Sequence, residues 1–472
     1  MSFSAASLRA MLEAHMPGAA TGVVVAISGG LDSACLLTAI AQLKVEGSLG
    51  AARRMPLRPE LRAPLSSALC TSPVRGLPVR AVHVDHGLQP AAAEFRESCV
   101  ELCRRLEIPL TVIAVAVESL GVSIEAAARD ARYRGIAQQL RPGECLLTAH
   151  HAMDQAETVL LQLLRGAGLK GMSGMPICKA LGKGWHLRPL LDVAKRDLLK
   201  FAAEARITAV SDPMNLDVRF DRAYLRTQLW PQIEERWPGA AVALSRTARH
   251  VADAQELLDR SAALTVEKLR DGNALSVTGL RALPATAQLN ALRYWIAANE
   301  IKLPSTARLT EALRQIIDAD DDHLPAVLWG EHALRRYRER LFLTRANPPS
   351  LKERREWTVA ADARLDLGEE LGTLRWSPQR GGLDAARLPP TLIVRQRVGG
   401  ETLKPNRRAS TQSVQHLCQS LGVLPWMRDA LPLVYAGEAL IAIGDLWQDA
   451  RWCVAAQRPG FGCVWEDAPM LV

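Results

Sequence analysis

No stretch of this chain offers the run of about 18–20 apolar residues that a membrane-crossing helix requires, so a spanning segment is not expected. The opening MSFSAASLRAMLEAHMP has neither the basic patch nor the apolar core of a secretory signal, and it reads as an amphipathic leading helix. Cysteine lacks a pattern. Cys35, Cys70, Cys99, Cys103, Cys145, Cys178, Cys418, Cys453 and Cys463 fall at no disulfide-framework spacing, and an odd, scattered set in a long chain implies reduced thiols and a cytoplasmic setting. Aromatic residues are only 5% of the total, although Trp is common among them and concentrated in the second half. Acidic residues are in deficit, 50 against 58 basic ones, and the net charge of +8 favours an anionic partner without choosing between tRNA, DNA and a membrane surface.

What is present is enough apolar material, 48% of 472 residues, for more than one core. Between Gly22 and Leu191, apolar runs alternate with helical periodicity. GVVVAI (22–27) is a continuous, largely β-branched run, as expected of a strand buried on both faces, and 77–86, 110–117 and 144–150 are similar. Helical stretches at 32–43, 91–106, 123–140 and 154–164 lie between them, which predicts an α/β fold: a mostly parallel sheet with helices on both faces. Ligands of such sheets bind at the carboxyl ends of the strands. Three domains are expected: 1–215 around this sheet, a helical module at 216–345, and, after a linker at 346–356, a small α+β domain at 356–472. The first is interrupted at 46–80 by a segment with several prolines and six arginines, Arg53, Arg54, Arg58, Arg62, Arg75 and Arg80. It reads as a surface insertion or as an arm contacting RNA phosphates.

Ser28-Gly29-Gly30-Leu31-Asp32-Ser33 follows the first strand and opens a helix. Glycines there let the backbone approach a ligand, the helix start presents unpaired N–H groups, and two serine hydroxyls add donors, which together suit a pyrophosphate. The plain alternative is a tight turn with Asp32 or Ser33 as helix cap. No lysine is present, so this is not a Walker A loop. Exposed loop residues contribute little to a core, so substitution of Asp32 or Ser33 is expected to spare folding while stopping chemistry. His83-Val84-Asp85-His86-Gly87-Leu88 ends the second strand, with His83 and Asp85 placed to face a nucleotide. A metal site there would want a further ligand pair that the spacing does not supply. Glu125, Arg129 and Arg132 share a helix face, either as a solvated salt-bridge surface or as a cationic wall against phosphate. In His150-His151-Ala152-Met153-Asp154-Gln155-Ala156-Glu157-Thr158, Asp154 and Glu157 are one turn apart. They either complement a helix N-terminus or bind a cationic amine and take its proton.

Taken in order, SGGLDS, HVDHGL, EAAARDARY, HHAMDQAET and RGAGLKGMSGM resemble the tRNA(Ile)-lysidine synthases of the PP-loop ATP pyrophosphatase superfamily. The resemblance continues through SDPMNLDVRFDRAYLR (211–226), VRQRVGGETLKP (394–405) and LGVLPWMRDALPLVY (421–435). It implies a PP-loop adenylation domain, a tRNA-binding helical module and a tRNA-recognising C-terminal domain. It also implies ligation of free lysine to the wobble cytidine of an isoleucine tRNA through an adenylated base, with ATP and Mg²⁺. Under it, Ser28, Gly29, Gly30, Leu31, Asp32, Ser33, His83 and Asp85 hold ATP, and Asp32 meets Mg²⁺. Asp32, Arg129, Arg132, Asp154 and Glu157 are catalytic, and Arg165, Arg222, Arg226, Arg395, Arg397 and Arg428 contact tRNA. A cytoplasmic enzyme without a membrane is implied, and a homodimer is admitted. The chain departs from the family pattern at Met153, Met214 and Ala223, and at Val414, Gln415 and His416. Three alternatives share the loop: a tRNA cytidine thiolase, which needs a sulfur carrier such as Cys99 and Cys103 could only begin to supply; a small-molecule amide synthetase; and a nucleic-acid-binding protein with an inactive loop.

Overall fold

A computed structural model describes residues 2–45, 76–85, 92–115, 124–208, 218–319, 324–360 and 362–471. Most of the arginine-rich segment (46–75), His86, Gly87, Leu88 and Met214 lie outside them, as does the side chain of Glu125. Among the described residues no helix is long and apolar enough to cross a membrane. The chain forms two compact units, Met1–Leu258 and Asp259–Val472.

The first unit runs α1 (Ala5–His15), β1 (Gly22–Ile27), α2 (Leu31–Val45), β2 (Val79–Asp85), α3 (Ala92–Arg105), β3 (Leu110–Ala114), α4 (Ile124–Gln139), β4 (Glu144–Leu147), α5 (Ala152–Leu164), α6 (Leu169–Met172), β5 (Cys178–Leu181), β6 (Gly184–Leu187), α7 (Lys195–Glu204) and α8 (Asp221–Tyr224). A π-helical turn, Leu225–Leu229, leads into α9 (Trp230–Arg236) and the long α10 (Ala240–Leu269). The sheet order is β3-β2-β1-β4-β6-β5, parallel except for β5.

Period-two alternation sends Val23, Val25 and Ile27 of β1 into a core with Leu8 and Leu12 of α1, the buried α2, and Leu198 and Phe201 of α7. Val24 turns the other way, with Val82 and Leu146, to meet Ile136 and Leu140 of α4. A continuous apolar run is therefore the correct composition for this central strand. From β1 the chain moves to one side, to β2 and β3, and then crosses to β4 on the other. The reversal opens a crevice at the carboxyl ends of β1 and β4. Arg80 is not part of a basic arm: from β2 it donates across β1 to Glu144 of β4, at 3.0 and 2.6 Å.

In the second unit, β7 (Arg270–Asp271), β8 (Ala274–Ser276), β9 (Ala326–Trp329), β10 (His332–Tyr337) and β11 (Arg340–Arg345) make an antiparallel sheet beside α11 (Val277–Arg281), α12 (Ala285–Ala298) and α13 (Thr306–Asp318). The region expected to be helical thus also carries five strands. Their charged residues masked the alternation. Arg336 of β10, within the stretch expected to be helical, is only 2% exposed and donates to the carbonyls of Ile316 and Ala319. The remaining residues build one five-stranded sheet, one three-stranded sheet and a short two-stranded ladder, all antiparallel. Their core holds Trp357 stacked on Trp376 at 4.3 Å between ring centres.

The β4–β6 pairing depends on a glycine. A Cβ at Gly184 would sit 2.1 Å from the Glu144 carbonyl oxygen, a backbone atom that cannot move aside. Gly184→Ala is therefore expected to cost about 1–3 kcal/mol, as forced overpacking does, seen as a lowered melting temperature in circular dichroism.

Candidate active site

The loop between β1 and α2 is held by its own side chains. The Ser28 amide donates to Ser33 Oγ at 3.1 Å, Ser33 Oγ donates to the Gly30 carbonyl at 2.9 Å, and the Gly30 amide lies 3.4 Å from Ser28 Oγ. Gly29 has φ +84°, and a Cβ there would meet Phe95 of α3 at 2.9 Å, so only glycine fits. A Cβ on Gly30 would approach only Ser28 Oγ, at 3.4 Å, which leaves that side of the loop open. The first-turn amides of α2 have no intrahelical acceptors, and together with this opening they form an anion cradle.

Asp32 belongs to the first turn of α2. It receives Lys195 Nζ at 2.5 Å, from the start of α7, and His151 Nε2 lies 3.5 Å from its second oxygen. Burial works against ionisation of this carboxyl, but the hydrogen bond and charge of His151 and then of Lys195 outweigh it and hold Asp32 at about 2. Neither partner had been given a role from the sequence. Lys195 stands 163 positions from Asp32 with no local motif to mark it.

His151 caps α5. Its Nδ1 accepts from the Met153 amide at 3.2 Å, and Asp154 Oδ2 accepts from the His151 amide at 3.0 Å, so the capping reading of Asp154 holds. The same carboxylates also bind a cation. Arg226, from the π-helical turn, donates to both oxygens of Glu157 at 2.8 and 2.9 Å and to Asp154 Oδ1 at 3.2 Å. Glu157 is fully buried and Asp154 is 17% exposed at its side chain. Burial raises the Glu157 carboxyl, and the guanidinium only partly counters it. Arg222 donates to Thr158 Oγ1 at 3.2 Å.

Other sequence candidates fall elsewhere. His83 is buried, its Nδ1 3.0 Å from the Ile27 carbonyl and 3.5 Å from Cys99 Sγ, so its ring braces the end of β1. Asp85 is half-buried at the end of β2. On α4, Arg129 lies over the Tyr133 ring at 5.4 Å, while Arg132 is exposed. Arg165 pairs with Asp221 at 2.9 Å on the surface. In the second unit Arg395 covers the Tyr435 ring at 4.1 Å, and Arg397 pairs with Asp429 at 3.0 Å. Arg428 is buried and donates to the Val423 carbonyl, an arrangement that serves packing. Cys99 and Cys103 are buried too, and burial pushes their thiols up to about 12 and about 11, far from sulfur-transfer chemistry.

The Asp32 ion pair revises the expectation that the loop carboxylate is irrelevant to folding. A carboxyl held below its ordinary 3.8 stabilises the fold above that pH, and the contribution is lost as pH falls through about 2. Asp32→Asn should therefore lower stability by about 2 kcal/mol at neutral pH, with the denaturation midpoints of mutant and parent converging as pH is lowered toward about 2.

Comparison with known proteins places these features in a family. Residues 4–233 match the PP-loop domain family, 275–342 a TilS substrate binding domain and 392–465 a TilS substrate C-terminal domain. A tRNA(Ile)-lysidine synthase of Alkalilimnicola ehrlichii is 36% identical, covering 95% of this chain and 94% of its own length. One from Coxiella burnetii is 38% identical over 81% of this chain and 87% of its own. Loop, crevice, domain matches and near full-length similarity agree: the chain belongs to the tRNA(Ile)-lysidine synthase family, enzymes built on an ATP-using PP-loop domain.

Proposed function

We propose that this protein adenylates the wobble cytidine of an isoleucine tRNA with ATP and then joins the ε-amine of free lysine to the activated base, releasing AMP. One observation carries the reading. A single imidazole, His151, lies 3.5 Å from Asp32 at the phosphate loop and 3.6 Å from Asp154 at the cation site, so both half-reactions have a place in one crevice. The activity for which its relatives are named agrees.

A ring carbonyl oxygen is a poor leaving group, and its attack on the α-phosphorus of ATP converts it into part of a phosphate ester. Pyrophosphate leaves into the loop, whose amides and serine hydroxyls meet the developing charge. The amine then attacks the activated carbon and AMP departs. An ammonium has no lone pair, so it must lose a proton first. Arg226 marks the place where a cation is held. Asp154, more exposed than Glu157 and bound to Arg226 by one contact, is the carboxylate that lysine can reach. Glu157, gripped at both oxygens, keeps Arg226 in place.

Among the described residues no three His, Cys, Asp or Glu side chains form a metal cluster. Mg²⁺ does not require one, since it binds through one or two carboxylates with substrate phosphates and water. Asp32, whose oxygens face Lys195 and His151 in this structure, is the carboxylate that would hold the ion by giving up one of those contacts, and a bound ion would ease departure of pyrophosphate. The eight described cysteines are all unpaired thiols, in keeping with a cytoplasmic enzyme.

Mass spectrometry of tRNA nucleosides after incubation with ATP, Mg²⁺ and labelled lysine tests the reading, with labelled lysidine expected. With ATP labelled at the α-phosphate and lysine omitted, label should accumulate on tRNA. With tRNA omitted, no lysyl-adenylate should form, and its appearance would overturn base activation. Asp154→Asn should slow transfer to lysine by about 10²-fold or more, as loss of a positioned base does, while adenylation in a lysine-free assay changes much less. The reverse pattern would assign Asp154 to ATP.

A further inference from the structure

Behind the carboxylate pair lies a buried polar chain that this reading leaves unused. Thr148, just past β4, has its Oγ1 2.8 Å from His150 Nδ1 and 2.8 Å from His186 Nε2. The other nitrogen of His186, Nδ1, is 3.1 Å from one amino group of Arg188, whose other amino group donates to the Pro176 carbonyl at 2.7 Å. His186 is fully buried and Arg188 is 2% exposed.

The direction of these bonds follows from one fact: a guanidinium only donates. His186 Nδ1 must therefore accept, so the neutral ring carries its proton on Nε2 and donates to Thr148 Oγ1. The threonine hydroxyl has one proton of its own, and its remaining partner is His150 Nδ1. With that proton given to His150 Nδ1, the arrangement that leaves no hydroxyl proton unpaired, His150 accepts at Nδ1 and carries its own proton on Nε2. That atom has no hydrogen-bond partner among the described residues, and the His150 side chain is half-buried. The charged and titratable groups around the ring are Asp154 of its own segment, Arg188 and His186 behind it, Arg129 of α4 and Arg222 of α8.

We infer that Arg188, His186 and Thr148 are positioning residues that lock His150 as a neutral hydrogen-bond donor, its Nε2–H offered to an oxygen of the adenylated base. The inference rests on the proposed lysine transfer for its substrate, though not for its geometry. It removes His150 from the candidates for the base that deprotonates the amine, because its unprotonated nitrogen is already committed to Thr148. Burial, opposed by Asp154 and reinforced by Arg188, Arg129 and Arg222, holds His150 well below its ordinary value. Burial, with Arg188, His150, Lys179 and Arg129 around the ring, does so for His186. The pair therefore stays neutral through the range where an ordinary imidazole titrates.

The full-length chain labelled with ¹⁵N-histidine tests this. The His150 signals are identified by their loss in His150→Gln. The parent protein should show His150 protonated at Nε2 and unprotonated at Nδ1, unchanged between about pH 5 and 8. A proton on Nδ1, or titration within that range, overturns the relay. Thr148→Val keeps the shape and removes the hydroxyl, so His150 should populate the other tautomer. Turnover of adenylated tRNA by lysine should fall by about tenfold or more, with the KM for lysine little changed, and Thr148→Ser should restore both signals and turnover. If Thr148→Val leaves tautomer and turnover untouched, the relay has no role. If the parent shows the stated tautomer but forms no lysidine, the functional reading fails and the relay stands.

Discussion

Everything at the site hangs from the parallel pairing of β1 between β2 and β4. That strand is buried on both faces, and the chain leaves it toward β2 on one side and returns as β4 on the other. Had β4 joined beside β3, the loop at Ser28 and the histidines at 150 and 151 would end far apart on the sheet edge. Because it joins beside β1, Asp32 and His151 come within 3.5 Å. The hydrophobic cores on the two faces of β1 are therefore also what aligns the phosphate loop with the start of α5.

On that frame the electrostatics are arranged so that each acid has a named cation. Asp32 takes Lys195, Glu157 and Asp154 take Arg226, and Glu144 takes Arg80 at the opposite end of the strands. Arg188 differs: it is buried without a carboxylate, and its two amino groups go to a carbonyl and an imidazole while its Nε has no partner. A buried guanidinium so placed lends direction to the hydrogen bonds beyond it. The crevice thus separates chemically into an anion cradle, a cation clamp and a neutral imidazole donor within one strand end of each other.

Much of this was readable in advance. GVVVAI as a doubly buried strand, SGGLDS as a turn into a helix, and Asp154 with Glu157 on one helical face all follow from local periodicity, and the ordered motifs led to the correct family. The strands of 270–345 were not readable, because arginines such as Arg336 hide an alternating pattern when their guanidinium is satisfied by distant carbonyls. The partners of Arg428 and Arg80 were hidden for a related reason: a basic side chain looks the same in sequence whether it faces a phosphate or a buried partner.

Local composition alone determined four strands of the parallel sheet, though not β6, together with the glycine loop and the residue types that could handle phosphate and amine, since backbone preference and side-chain chemistry are properties of a few adjacent residues. Only the tertiary structure decided the pairings. Lys195 meets Asp32 across 163 positions and Arg226 meets Glu157 across 69. His186 reaches His150 through Thr148, which lies between them in space though not between them along the chain. Charge and hydrogen-bond partners are chosen by proximity after the sheet has formed, and a strand crossover makes that proximity independent of distance along the chain.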